Sequence, residues 1–296
     1  MLFHGLSAFP ITPADTQGRV LEQDLRGLLL RLNQAGVDSI GLLGSTGSYM
    51  YLSREERRRA VEIAAETVAG ATPLMVGIGA LRTDEAIALA QDAADAGANG
   101  LLLAPVSYTP LSEDEVYAHF TAVASATELP LCIYNNPGTT HFSFSDALIA
   151  RLSAHPKIVA VKNPAAPVAE TPERHQALRV QLPGGFALGY SGDWHAAKAV
   201  MAGGAGWYSV IGGLLPEPAL KLMAAAQAGD AAEVERISAL FEPLWALFRE
   251  LTSYRIVYAA ANAMGLTSAQ PPRPILPLTA ADRERVMAAI GGLAGV

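Results

Sequence analysis

One junction recurs along this chain and limits the folds open to it. Gln34-Ala35-Gly36-Val37-Asp38-Ser39-Ile40-Gly41-Leu42-Leu43-Gly44 is answered by Asp95-Ala96-Gly97-Ala98-Asn99-Gly100-Leu101-Leu102-Leu103-Ala104-Pro105, and again by Ala202-Gly203-Gly204-Ala205-Gly206-Trp207-Tyr208-Ser209-Val210-Ile211-Gly212. In each, a polar–apolar periodic segment stops at a glycine and a tight turn leads into a short apolar run. That is a helix ended by a C′ glycine, followed by a strand buried on both faces. Eight candidate strands stand in order: Leu6–Ile11, Ser39–Gly44, Leu74–Ala80, Gly100–Pro105, Leu131–Asn135, Ile158–Lys162, Phe186–Tyr190 and Gly206–Ile211. Helical patterns such as Leu21–Ala35, Arg54–Ala69, Asp84–Ala96, Glu113–Ala126 and Asp193–Ala202 lie between them. Alternation at this spacing calls for parallel strands joined by crossovers, and predicts an α/β fold, a (β/α)8 TIM barrel. A doubly wound open sheet would need a glycine-rich phosphate turn after the first strand, where Phe9-Pro10-Ile11-Thr12-Pro13 stands instead.

Two helix starts carry capping signals: Ser53 with Glu56 at the third helical position, and Ser112 with Glu115. Beyond the eighth strand about 80 residues remain, more than one closing helix needs. Ala231–Leu251, Tyr254–Ala263 and Thr279–Leu293 read as three further helices, the last preceded by the stiff linker Pro271-Pro272-Arg273-Pro274. The division is therefore a barrel over 1–215 and, over 216–296, its eighth helix with a C-terminal helical extension. The extension is too apolar on several faces to stand alone, so the whole is one domain.

Composition narrows the function classes. A net charge of −7 and the lack of any basic run argue against nucleic acid and against anionic membranes. No apolar stretch reaches the roughly 18 residues that span a bilayer, and Met1-Leu2-Phe3-His4-Gly5 opens no signal peptide. The expected setting is cytoplasmic. The single Cys132 lies in the apolar run Leu131-Cys132-Ile133-Tyr134, a core position. None of the six histidines, His141 included, pairs with another ligand at a metal-binding spacing, so no metal is expected. His141 reads as a surface loop residue, and Trp194 and Trp207 as barrel packing. Asp193 reads as the cap of the helix after strand seven.

Chemistry enters at Ile158-Val159-Ala160-Val161-Lys162-Asn163, an apolar strand that ends on a lysine. Of 21 Lys+Arg only Lys157, Lys162, Lys198 and Lys221 are lysines, so a sequence that favours arginine for its charge has placed one of them here. Burial disfavours an ammonium, and the free amine is the nucleophile that forms a Schiff base with a carbonyl. Arginine cannot do this. The alternative is a lysine that snorkels to water from a strand end. In a (β/α)8 barrel the reacting groups stand at the C-terminal ends of the strands. Strand two ends in Gly44-Ser45-Thr46-Gly47-Ser48, whose hydroxyls and turn N–H groups suit a carboxylate, though such residues also fill ordinary turns. Strand five ends in Tyr134-Asn135-Asn136-Pro137, placing a phenol at the level of Lys162 one βα unit earlier, fit to carry protons.

Gly44-Ser45-Thr46-Gly47, Tyr134-Asn135-Asn136-Pro137 and Val161-Lys162, in this order, resemble the dihydrodipicolinate synthase/N-acetylneuraminate lyase family. Ala8-Phe9-Pro10-Ile11-Thr12-Pro13, Ala104-Pro105 and Ser191-Gly192-Asp193 extend the resemblance over essentially the full chain. It implies a class I, pyruvate-dependent aldolase or lyase, commonly a homotetramer, with no cofactor beyond the substrate imine on Lys162. Its partner is then a small keto acid and a second copy of itself, as tetramer or dimer. By the same resemblance Tyr134 relays protons, Ser45 and Thr46 hold the keto-acid carboxylate beside Gly47, and Thr46 joins the relay. The apolar helical tail offers a surface for self-association.

The departures fall in the other half of the reaction. Dihydrodipicolinate synthases carry a glutamate where Ser48 stands, and an arginine where Thr139 stands, two residues after the strand-five proline. Val106-Ser107-Tyr108 puts serine at the position of the relay tyrosine that crosses a subunit interface. Asn163-Pro164-Ala165 replaces the usual Glu-Ala/Ser after the lysine and predicts a different path. A threonine cannot replace an arginine's bidentate hold on a carboxylate. Thr139, Thr140, His141, Ser107 and Tyr208 suit the hydroxyls of a sugar-acid chain better than L-aspartate-4-semialdehyde. Two alternatives stay open: a keto-deoxy sugar-acid dehydratase working through the same imine, and a non-catalytic keto-acid-binding paralogue.

Overall fold

In the computed structural model, which describes residues 2–167 and 170–293, the eight predicted strands close in sequence order into a parallel barrel. They are β1 (Gly5–Ala8), β2 (Ser39–Leu42), β3 (Leu74–Gly77), β4 (Gly100–Leu103), β5 (Leu131–Tyr134), β6 (Ile158–Pro164), β7 (Ala187–Ser191) and β8 (Gly206–Ser209). β1 closes the ring by pairing with both β2 and β8. The helices are α1 (Glu22–Ala35), α2 (Arg54–Val68), α3 (Thr83–Asp95), α4 (Glu113–Ser125), α5 (Pro137–Thr140), α6 (Asp146–Ser153), α7 (Thr171–Arg179), α8 (Asp193–Met201) and α9 (Pro216–Gln227). The extension adds α10 (Ala231–Leu251), α11 (Ser253–Ala263) and α12 (Ala280–Gly291).

The recurring junction is a helix stop of one design. Gly36, Gly97 and Gly203 all take positive φ (78°, 99° and 110°), where a side chain would be strained. After each, the next N–H reaches back to the last turn: Val37 to Leu32 O, Ala98 to Ala93 O and Gly204 to Ala199 O. These bonds satisfy carbonyls that the helix end would leave open. At the helix starts, Ser112 and Glu115 form the complete reciprocal box. At Ser53 only half of it forms. The Ser53 hydroxyl accepts from Glu56 N, while the Glu56 carboxylate accepts from Val20 N at 2.7 Å, pinning the β1–α1 loop.

Two cores follow from the alternation of side chains along each strand. Leu101, Leu103, Ile133, Val161, Leu188 and Trp207 point outward into the layer between strands and helices. Phe9, Met75, Leu102, Cys132, Tyr134, Ala160, Ala187 and Tyr208 fill the barrel interior. The small residues Cys132, Ala160 and Ala187 fall on the consecutive strands β5, β6 and β7. A Cβ at Gly41 would stand 2.3 Å from the Phe9 ring, so that glycine makes room for the phenyl group beneath the site.

Most predicted strands ran long at their C-terminal ends, because apolar residues such as Leu43, Ile78 and Ala104 continue into buried βα loops. β6 ran the other way. It continues to Pro164 through pairing of Asn163 with Tyr190 and Pro164 with Ser191. The extension packs on the barrel's own helices: Val234, Ile237, Phe241, Leu244, Ile256, Val257 and Val286 belong to the outer core. The apolar surface expected to drive self-association is therefore not on the tail. Among the described residues the exposed large apolar side chains are Leu30, Met50, Tyr51, Leu81, Tyr108, Val180 and Leu276, of which only the last follows the barrel strands. No helix among the described residues is long and apolar enough to cross a membrane.

Candidate active site

Lys162 occupies an inward position of β6, two residues after Ala160, and is only 4% exposed. The β5–β6 register sets Tyr134 directly against it. Its Nζ lies 3.8 Å from the centre of the Phe9 ring, 4.3 Å from that of Tyr134 and 5.7 Å from that of Tyr208. Among the described residues no carboxylate pairs with it, although Lys157 and Lys198 each have one. The amine is thus held by aromatic faces rather than by a counter-ion, which leaves its nitrogen free of a competing salt bridge. The snorkelling alternative does not hold, since the side chain turns into the barrel.

The Tyr134 hydroxyl stands 3.3 Å from Ser45 Oγ and accepts from Asn136 Nδ2 at 3.0 Å. Asn136 Nδ2 also donates to Thr139 Oγ1 at 2.9 Å, so one amide ties the phenol to the β5–α6 segment. Ser45 is the residue that reaches Tyr134. Thr46, expected in the relay, is buried and makes no side-chain hydrogen bond among the described residues. Gly47 is required by the turn itself, because a Cβ there would meet the Leu43 backbone at 2.9 Å. Leu43 takes positive φ (55°), unusual for a branched side chain, and so turns the chain sharply at the end of β2.

A cleft of about 380 Å³ opens beside Ser45. Ser107, Thr139, Thr140 and Ser48 line it, together with Tyr254 and Arg255 from α11. The sequence reading had not placed the last two, because helix patterning marks a tail helix as packing and gives no sign that its first turn reaches the barrel mouth. Ser107, Thr139 and Thr140 are accordingly brought together with Ser45. Ser107 Oγ donates to Thr109 O. His141, at positive φ (55°), is exposed and caps the short α5.

Tyr208 is a correction. It was expected to touch substrate hydroxyls, but it is 1% exposed inside the barrel, edge-on to Phe9, with its hydroxyl 3.7 Å from Cys132 Sγ. Its inward position on β8 lies deeper than the strand ends, so it forms part of the floor. Burial pushes its phenol well above the usual tyrosine range, and pushes the Cys132 thiol up to about 12.

Ser48 takes the place of the glutamate that the resemblance led us to compare. Its hydroxyl lies 2.6 Å from Tyr254 OH and 2.9 Å from Tyr258 OH, joining the β2 turn to α11. Asp193 is a second correction. Gly192 caps α8, and the buried Asp193 carboxylate instead accepts from Trp207 Nε1 (2.9 Å), Val210 N (3.2 Å) and Ile211 N (2.7 Å). Burial pushes this carboxyl up, opposed by those three N–H groups. It therefore fixes the turn after β8 to the start of α8. Trp207 is fully buried against it, and Trp194 is partly buried with Arg249 over its ring. Among the described residues no group of three His, Cys, Asp or Glu side chains could hold a metal ion.

This geometry can be set beside known proteins. The profile of the dihydrodipicolinate synthetase family matches residues 2–292. A 4-hydroxy-tetrahydrodipicolinate synthase from Acidiphilium cryptum (strain JF-5) is 34% identical over 294 residues, covering 99% of each chain. The crystal structure of a dihydrodipicolinate synthase from Agrobacterium tumefaciens str. C58 superposes with a TM-score of 0.97 at 60% identity, over 99% of this chain and 98% of that one. A chloride-inhibited dihydrodipicolinate synthase from Acinetobacter baumannii, solved in complex with pyruvate, gives 0.90 at 29% identity, over 99% of this chain and 100% of that one. Full-length matches in sequence and in fold, with Lys162, Tyr134 and the Ser45 turn gathered at one barrel end, establish that the chain belongs to the dihydrodipicolinate synthetase family.

Proposed function

We propose that the protein is a Schiff-base lyase or aldolase that activates pyruvate, or a related 2-keto acid, on Lys162. The observation that carries this reading is the register of β5 on β6, which sets a buried lysine, without an ion pair among the described residues, against Tyr134, itself within reach of Ser45. The amine attacks the keto carbon, and the carbinolamine loses its hydroxyl as water to leave the imine. Tyr134 and Ser45 move the proton that this step requires, and no external cofactor takes part. Loss of a proton from C3 then gives an enamine, which adds to an aldehyde carbon; water finally releases the product and restores the amine. Cleavage runs the same steps backwards. The pyruvate complex of the Acinetobacter baumannii relative supports the choice of keto acid.

The second substrate in this reading is not L-aspartate-4-semialdehyde, although relatives are named 4-hydroxy-tetrahydrodipicolinate synthase. Thr139 offers a hydroxyl where the family resemblance calls for an arginine, and Ser107 and Thr140 add two more to the same cleft. Hydroxyl donors and acceptors fit a polyhydroxylated chain. Elimination of water from a keto-deoxy sugar acid uses the same imine, and is told apart by whether an aldehyde is released. Self-association belongs to the proposal as well. Tyr108 is 96% exposed, and Tyr51 is exposed on the cleft wall, so a second copy is the natural cover for the barrel mouth. Sedimentation velocity tests it, and a monomer at micromolar concentration would reject it.

Borohydride reduction with pyruvate, followed by peptide mapping, tests the central claim. A reduced adduct on Lys162 is expected. A folded protein that forms none would overturn the reading in favour of a binding protein. Rapid condensation of pyruvate with L-aspartate-4-semialdehyde would overturn the substrate assignment alone.

A further inference from the structure

The loss of an arginine at position 139 does not leave the cleft without a cation. Arg255, in the first turn of α11, lines the same cleft as Ser45, Ser107 and Thr139, and is its one charged lining residue among the described residues. It is half-buried, donates through Nη1 to Thr252 Oγ1 at 3.1 Å, and makes no ion pair among the described residues. Of the other arginines of the extension, Arg236, Arg249 and Arg285 each pair with a carboxylate, while Arg273 and Arg283, which make no ion pair among the described residues, do not line this cleft. Thr252 divides α10 from α11 at positive φ (68°), a conformation costly for a β-branched residue, and it also lines the cleft. A strained residue thus precedes the helix whose first turn places on the cleft wall a guanidinium that has no ion pair among the described residues.

On the Schiff-base reading above, we propose that Arg255 is a specificity-determining residue that binds an acid group at the far end of the substrate. The substrate class is then a 2-keto-3-deoxy sugar diacid. Its keto carbon sits at Lys162 and its near carboxylate in the Ser45–Gly47 turn. The intervening hydroxyls meet Ser107, Thr139 and Thr140, and the far carboxylate meets Arg255. A guanidinium binds a carboxylate through two charge-assisted hydrogen bonds, whereas a primary alcohol at the same place gains only neutral ones. The difference corresponds to a preference on the order of 10- to 100-fold.

The test compares two six-carbon 2-keto-3-deoxy acids, one ending in a carboxylate and one in a primary alcohol. Expected is a kcat/KM at least about 10-fold higher for the diacid in the wild type, lost in Arg255→Met mainly through KM and partly kept in Arg255→Lys. A wild type without preference, or an R255M variant that keeps it, overturns the proposal. If R255M does not fold, R255K and the wild type decide: the wild-type KM for the diacid must rise more steeply with salt than that for the alcohol-ended acid. Borohydride trapping of both compounds on wild-type Lys162 separates the two claims. Trapping with no dependence on Arg255 removes only the arginine's role, whereas no trapping of either removes the Schiff-base reading and this inference with it.

Discussion

Replacing Lys162 with methionine should abolish the chemistry and stabilise the fold. The amine is 4% exposed, and its nearest neighbours are the faces of Phe9 and Tyr134 at 3.8 and 4.3 Å. Contacts of an ammonium with aromatic faces are worth about 0.5–2 kcal/mol each way from exposed to desolvated sites. Taking an ammonium out of water costs several kcal/mol even after relaxation, and no carboxylate among the described residues offsets it. Methionine has nearly the same length, fills irregular space, and places a polarisable sulfur near the same rings. The balance favours the variant by about 1–3 kcal/mol.

Urea unfolding read by tryptophan fluorescence measures this, because Trp207 lies fully buried in the barrel wall. Protein concentration must be held fixed, since assembly would add to apparent stability. The expected K162M result is a higher midpoint at unchanged m-value, with no borohydride adduct from pyruvate. An unfolding free energy lower by about 1 kcal/mol or more, read as a lower midpoint at unchanged m-value, would refute the reasoning, because it would mean that the amine is a net stabilising group and not one kept for reaction.

Tyr134→Phe removes the hydroxyl that lies near Ser45 and accepts from Asn136; turnover should fall about 10²- to 10⁴-fold, read by stopped-flow kinetics of pyruvate consumption. Asp193→Ala leaves the N–H groups of Trp207, Val210 and Ile211 without their acceptor and should destabilise the fold by about 3 kcal/mol or more in urea. Burial pushes the Cys132 thiol up to about 12 in the folded protein, above its unfolded value of about 8.5. Its contribution to stability is whole below the unfolded value and is lost as pH rises toward the folded one, at about 1.4 kcal/mol per pH unit. Cys132→Ala should lack that part of the alkaline slope between pH 9 and 10, within the range from about 8.5 upward; equal slopes would contradict the burial of this thiol.

Repetition made the barrel legible. Three glycine-ended junctions and eight apolar runs force parallel strands, and no side-chain detail was needed to order them. Lys162 and Tyr134 were legible for the same reason: strand ends carry a fixed register, so a spacing in sequence becomes a level in space. What escaped the sequence depends on tertiary approach. Tyr208 looked like a strand-end hydroxyl, yet its inward position lies a layer deeper than the site. Asp193 stood where a cap would stand, but Gly192 already satisfies the turn and frees the carboxylate to bind across to β8. α5 is four residues long and α7 is largely polar, so neither leaves a clear periodic trace.

The two halves of the site are built from different kinds of structure, and the departures from the family resemblance fall in only one of them. Lys162 and Tyr134 sit on paired strands, where moving one residue turns a side chain from the interior to the outer core. Ser45 follows directly from β2 through the strained Leu43 turn. The far wall has no such constraint. Ser107 and Thr139 stand on βα segments, and Arg255 lies in the first turn of α11, which begins directly after Thr252. A cation lost from one loop can therefore be supplied by another element without disturbing the lysine. On the Arg255 proposal, substrate range depends on where α11 meets the barrel mouth, and the Ser48–Tyr254–Tyr258 hydroxyl cluster ties that helix to the β2 turn.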